Sequence, residues 1–204
     1  YFIIFGTLIG KRIGEMEGFP YMEYIAPGLV MMSVITNSYG NVVGSFFNAK
    51  IQGHIEELLV SPLSEVSIVI GYLAGGIIRG LAVASVVTFI ALFFTQINIK
   101  HPLMTLFVII TPAGVFSLAG LINAIFAKKF DDIAVIPSFV LAPLTYLGGV
   151  FYTVSLLPEF WQTLSRFNPI LYMINSMRYS VIGISDVSIH NALMMIVVFF
   201  ILLF

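Results

Sequence analysis

The feature that most constrains this chain is a succession of long apolar runs. Residues 24–47, 65–95, 103–127 and 133–152 are each about as long as, or longer than, the roughly 18 residues that separate a bilayer-spanning helix from a buried core helix. Only 9% of the 204 residues are charged and 59% are hydrophobic. A water-soluble domain carries about 25% charged residues to cover its surface. The chain is therefore read as an integral membrane protein built from transmembrane helices. Water is absent from the hydrocarbon, so every spanning backbone group must be paired within its own helix.

The expected architecture is all-α, a single transmembrane domain over 1–204 with six spans at about 1–9, 24–47, 65–95, 103–127, 133–152 and 191–204. Tyr1 and Phe204 both fall inside apolar stretches, so the expectation is that both ends cut through membrane helices. The third run is longer than a bilayer requires and should tilt or protrude. Pro27 sits in the first turn of its span, where a missing N–H costs little, and Pro112 is expected to kink the fourth. Lysine and arginine counts in the short loops balance, with Lys50, Lys128 and Lys129 on one side and Lys11, Arg12 and Lys100 on the other. The positive-inside rule then assigns no orientation.

Several chemistries are excluded. The net charge is −1 without a basic block, which argues against nucleic acid. There is no cysteine, and His54, His101 and His190 are scattered, so no metal or catalytic constellation is visible. Gly10–Lys11 resembles the end of a phosphate-binding loop, but Phe5 and Arg12 replace its glycine and hydroxyl residues. Any ATP and magnesium would belong to another subunit.

Four segments remain as candidates for function. In 48–62, Ile51, Ile55, Leu58 and Leu59 form one apolar stripe, while Lys50, His54 and Glu57 fall on another face and Pro62 stops the helix. Such a helix lies in the membrane surface, either as an ordinary interfacial helix or as a docking element. Gly148 and Gly149 end the fifth span, and residues 153–188 carry breaks at Pro158 and Asn168–Pro169. Between them are belt-like aromatics including Trp161, the only tryptophan, and Arg166 and Arg178, which are placed to snorkel to the headgroup level. Neither half is long enough to cross about 30 Å of hydrocarbon. A helix pair that enters and leaves one face, or an external amphipathic loop, fits this segment.

Arg79 lies in the middle of an apolar run, where a charge costs about 2.5–3.5 kcal/mol. It should face a partner, a carbonyl or a water-filled cavity. Asn37 and Asn41 share a helix face and should point into the bundle or a transport path. Glycine pairs at four-residue spacing (40/44, 71/75 and 76/80) suit close helix packing within the bundle or at a dimer seam.

The run Gly53-His54-Ile55-Glu56-Glu57-Leu58-Leu59-Val60-Ser61-Pro62 resembles the coupling-helix signature of type-2 ABC exporter permeases. Gly148-Gly149-Val150-Phe151-Tyr152, Leu157-Pro158, Trp161, Asn168-Pro169 and Arg178 resemble that family's external re-entrant region, and Tyr24 to Val34 also fits. The likeness covers nearly the whole chain and is nearest to bacterial inner-membrane permeases. It implies a six-transmembrane-helix permease with a cytoplasmic coupling helix and an external re-entrant helix pair. It also implies a homodimer in membrane lipid, each copy docked on a separate ATPase subunit through Lys50, His54, Ile55, Glu56, Glu57, Leu58 and Pro62. The expected cargo is amphipathic or hydrophobic, because few charges line the spans. The rivals are an ATPase-independent secondary transporter or channel, and a scaffold without transport.

Overall fold

The computed structural model describes residues 2–204, so Tyr1 of the expected first span lies outside the described residues, as do the side chains of residues 6–8 and of Lys11 in the loop that follows. The chain begins with wide helical turns over Phe2–Ile9 and a short α1 (Gly10–Ile13). The expected loop at 10–23 contains a small ladder, β1 (Glu15–Met16) against β2 (Phe19–Pro20), closed by Glu17 and Gly18 at positive φ. The architecture is otherwise helical.

The helix α2 (Tyr21–Ile51) is the axis of the molecule. At 1.5 Å per residue it is about 46 Å long, well beyond the hydrocarbon thickness. It packs against α4 (Glu65–Ala91), α5 (Pro102–Phe126) and α9 (Pro169–Ile182). Among the described residues, three helical stretches are long and apolar enough to cross a membrane: Glu65–Ala91, Pro102–Phe126 and Phe130–Leu147. The last comprises α6 (Phe130–Ile136), wide turns over Pro137–Leu141, and α7 (Ala142–Leu147). Pro137 opens the widened turns, because a ring without an N–H cannot join the regular ladder. By contrast, α5 runs through Pro112 as one continuous helix. The apolar α10 (Ile189–Leu203) is shorter.

Long as it is, α2 is too polar to count among those three stretches, since Ser33, Thr36, Asn37, Ser38 and Asn41 interrupt it. Its position resolves the apparent conflict. Ile35, Ser38, Tyr39, Val42, Val43 and Phe47 are all buried, and α2 packs chiefly against α4 and α5. The helix meets protein on most sides, so its sequence need not satisfy lipid all round.

Small residues set the crossings. A Cβ on Gly120 of α5 would lie 2.7 Å from the Tyr39 carbonyl oxygen. One on Gly76 or Gly80 of α4 would strike Val42 or Ser38 of α2. Gly76 and Gly80 therefore serve packing within the bundle. Gly40, Gly44 and Gly71 have open space where a side chain would project.

Candidate functional site

At one end of the bundle α2 does not continue into the surface helix. The sequence reading placed one helix across 48–60. Instead, Asn48–Ile51 complete α2, the chain turns at Gln52 and Gly53, and α3 (His54–Val60) begins anew. Gly53 has φ +79°, a conformation glycine adopts without steric cost. The apolar stripe is split accordingly. Ile55 and Leu58 are half-buried and, with Phe46, Leu59, Ile68 and Ile125, line a hollow of about 320 Å³; Leu59 is otherwise exposed, as is Ile51. His54, Glu56, Glu57 and Pro62 face outward.

Lys50 is the main departure from the expected site. It stands in the last turn of α2, and its Nζ donates to the carbonyls of Ala124 (3.3 Å), Ile125 (2.6 Å) and Ala127 (2.9 Å). Its charge thus sits on the C-terminus of α5, where unpaired carbonyls and the helix dipole favour a cation. These bonds also show that the 48–64 segment and the turn before α6 share one end of the molecule. In that turn the Asp132 carboxylate accepts the Lys128 and Lys129 N–H groups at 2.8 and 2.9 Å. The two bonds, the Lys128 one first, hold its carboxyl below the usual carboxylate value.

Along the bundle, Asn37 and Asn41 of α2 are half-buried and Arg79 of α4 is exposed. Asn37 Nδ2 donates to the Ser33 carbonyl at 2.9 Å. Asn41 Nδ2 lies 3.8 Å from where a Cβ of Gly75 would stand. The two helices run antiparallel, so with Asn41 beside Gly75, Asn37 is level with Arg79 one turn further on. These residues share a face with Thr36, Gly40, Gly44, Gly71 and Gly75. Arg79 was expected to face a partner, a carbonyl or a water-filled cavity; it is exposed, and among the described residues no hydrogen bond or ion pair of its side chain is seen. A polar link that the sequence did not suggest lies deeper, where Asn123 donates to the Tyr39 hydroxyl at 2.6 Å. Elsewhere α2, α4, α5, α9 and the loop between α4 and α5 border a half-open apolar hollow of about 400 Å³ lined by residues such as Pro27, Ala84, Phe89, Pro102 and Val181.

The opposite end gathers the 10–23 and 96–102 loops with residues 148–188. Tyr21 donates to the Phe151 carbonyl at 3.1 Å, and Lys100 Nζ to the Ile182 carbonyl at 2.6 Å. Gly148 caps α7 and Gly149 takes φ +78°. A Cβ on Gly148 would lie 2.8 Å from Ile174 Cδ1, so α7 ends tight against α9. Pro158 precedes α8 (Glu159–Arg166), whose Phe160, Trp161 and Leu164 are exposed, as is Phe167 beyond it. Asn168 caps α9 by accepting from Ile170 N and ties it to α7 by donating to the Leu144 carbonyl at 2.6 Å. Pro169 fills the first helical position, where its missing N–H is harmless. At 14 residues α9 is about 21 Å long, and it is buried along most of its length.

Arg178 does not snorkel. Its side chain is fully buried, 0% exposed, inside the bundle. Nη2 donates to the Gly149 carbonyl at 2.7 Å and Nε to the Tyr24 carbonyl at 3.4 Å. Nη1 reaches Asn175 Oδ1 at 3.5 Å and Asp186 Oδ2 at 3.6 Å. The guanidinium lies 3.9 Å from the centroid of the Tyr24 ring. Asp186 in turn accepts from Val154 N at 3.3 Å. One arginine thus joins the start of α2, the end of α7, α9 and the loop after it. The snorkelling expectation failed because the acceptors, 29 and 154 residues away, leave no trace near Arg178 in the sequence.

The arrangement defines a class: a multi-helix membrane protein with a short surface helix at one end and a buried, arginine-pinned helix at the other. An ABC-2 type transporter family model matches residues 1–182, and the chain belongs to that family. It is 56% identical over 199 residues to the "Inner membrane transport permease YadH" of Escherichia coli K12, covering 98% of this chain and 78% of that protein. More distant relatives include "Nodulation protein J" of Rhizobium leguminosarum bv. viciae, 23% identical over 93% of this chain and 74% of the relative. A second protein of that name, from Sinorhizobium fredii, is 25% identical over 85% of this chain and 66% of the relative.

Proposed function

We propose that this chain is the membrane-spanning permease subunit of an ATP-driven exporter of the bacterial inner membrane, working as a homodimer with two separate ATPase subunits. The observation that carries the reading is α3, a short helix held at one end of the bundle by Ile55 and Leu58 with His54, Glu56 and Glu57 turned outward. A lone seven-residue helix is too short to be stable by itself, and its outward acidic side suits a groove on a second protein. Family membership supports the same conclusion.

The reading has six spans: the Phe2–Ile9 turns, α2, α4, α5, residues 133–152 and α10. The α3 end is cytoplasmic, and 153–188 is an external re-entrant pair that closes the exit. ATP and magnesium act on the partner, and this subunit breaks no bond. Arg79, Asn37 and Asn41 share a face that would be costly against lipid, since a mid-membrane arginine alone costs about 2.5–3.5 kcal/mol. That face is therefore assigned to a path between two copies. Its sparse charge and the apolar hollow support an amphipathic or hydrophobic cargo over a small ion. Alternation between inward-open and outward-open packings needs only a bistable bundle that nucleotide and cargo both bias.

The test is the full-length complex in proteoliposomes. Glu57→Lys, or loss of Ile55 and Leu58, should abolish cargo-stimulated ATP hydrolysis while membrane insertion is retained. Unchanged stimulation in Glu57→Lys refutes docking through α3. Transport without any co-purifying ATPase would instead favour a secondary transporter or channel.

A further inference from the structure

We infer that Lys50 is a positioning residue that makes α2 and α5 move as one body, so that displacement of α3 reaches α5 directly; this rests on the reading of α3 as the element an ATPase moves. An ammonium group has three donors, and Lys50 has three carbonyl acceptors at the end of α5. Two of the three, on Ala124 and Ala127, belong to buried residues. The hollow bordered by Lys50 is also lined by Ile55 and Leu58 of α3 and Ile125 of α5, so all three elements meet around it. One turn earlier on α2, Phe47 meets Phe130 of α6 edge to face at 5.1 Å. The joint therefore extends across the turn that follows α5. Higher up, Gly120 lies against the Tyr39 carbonyl, and Asn123 holds the Tyr39 hydroxyl. Two close contacts and one charged clamp along one pair of helices leave little room for independent sliding.

The surface of α3 remains the docking face. The role of Lys50 lies within the subunit: the residue is exposed, but its charge turns toward the α5 carbonyls. Methionine keeps the stem and removes the donors. Arginine keeps the charge and offers donors on a longer arm.

The experiment uses the full-length permease purified with its ATPase. These 204 residues contain no cysteine; with any cysteine elsewhere in the complex replaced and labelled permease diluted into unlabelled permease, Gln52→Cys and Lys128→Cys place one spin-label pair on either side of the joint. Their separation is measured by pulsed electron resonance without nucleotide and after trapping with ATP and vanadate. The Lys50 protein should give one narrow distance, the same in both states. Lys50→Met should give a distribution about twofold broader that shifts on trapping, as expected for two elements opening separately. Lys50→Arg should restore the narrow distance. If Lys50→Met does not insert, Lys50→Gln, with two donors for three acceptors, should broaden the distribution less. A narrow, state-independent distance in the inserted methionine or glutamine variant overturns the inference, as does a parent distance that changes on trapping. Failure of the ATPase reading looks different: no ATPase accompanies the permease, yet the nucleotide-free widths still report on the joint.

Discussion

Replacing Arg178 with methionine should be among the most damaging single changes to the outer end of this protein. The substitution keeps an unbranched side chain in a fully buried site and removes every donor. It strands the Asp186 carboxylate, whose side chain is only 10% exposed, and leaves the Gly149 and Tyr24 carbonyls without the guanidinium. The ring contact with Tyr24 is lost as well. Breaking a buried pair by removing one partner costs about 3–5 kcal/mol, mostly because the remaining charge stays desolvated. A double-mutant cycle separates that penalty from the worth of the pair. Asp186→Asn in the methionine background removes the stranded charge while keeping an acceptor for Val154 N, so the double variant should be more stable than the sum of the single losses. Arg178→Lys should fall between, because a single ammonium cannot reach both carbonyls and the carboxylate in the planar fork geometry. The assay is reversible unfolding of the detergent-solubilised protein, followed by denaturant titration. If Arg178→Met lies within about 1 kcal/mol of the parent, the node is not what pins this end together.

Three further outcomes follow from the geometry. Arg79→Ala should insert, and bind the ATPase, at parent levels but transport poorly; parent-level transport in vesicles would mean that Arg79 has no part in the path. Gly120→Ala should cost about 1–3 kcal/mol, because backbone rather than a flexible side chain blocks the new methyl group. Gly40→Ala, where nothing stands within 4 Å, should leave protomer stability unchanged, and the same unfolding titration compares the two. The Asp132 carboxyl is held below its usual value by the Lys128 and Lys129 N–H groups. Its stabilising effect is therefore present above the unfolded-state value and is lost as the pH falls through the lower, folded-state one. Amide exchange at Lys128 and Lys129 should accelerate in that acidic window, and in Asp132→Asn the acid-dependent change should vanish.

What could be read from the chain alone were properties set by neighbours in sequence. Apolar runs of span length, the breaks at Pro62, Gly148–Gly149 and Asn168–Pro169, and the outward charges of 54–57 all depend on residues within a turn or two of each other. Hydropathy and capping report such features directly. The family resemblance rested on the same local strings. Tertiary structure alone decided where Lys50, Lys100 and Arg178 spend their charge, because their acceptors lie 74–77, 82 and up to 154 residues away. It also decided that Gly76 and Gly80 face the bundle while Gly40 and Gly71 face outward, which four-residue spacing cannot distinguish. The polar α2 could become the central helix because α4, α5 and α9 surround much of it. Burial by protein rather than by lipid is a property of the packed bundle, and no window of residues along the chain contains it.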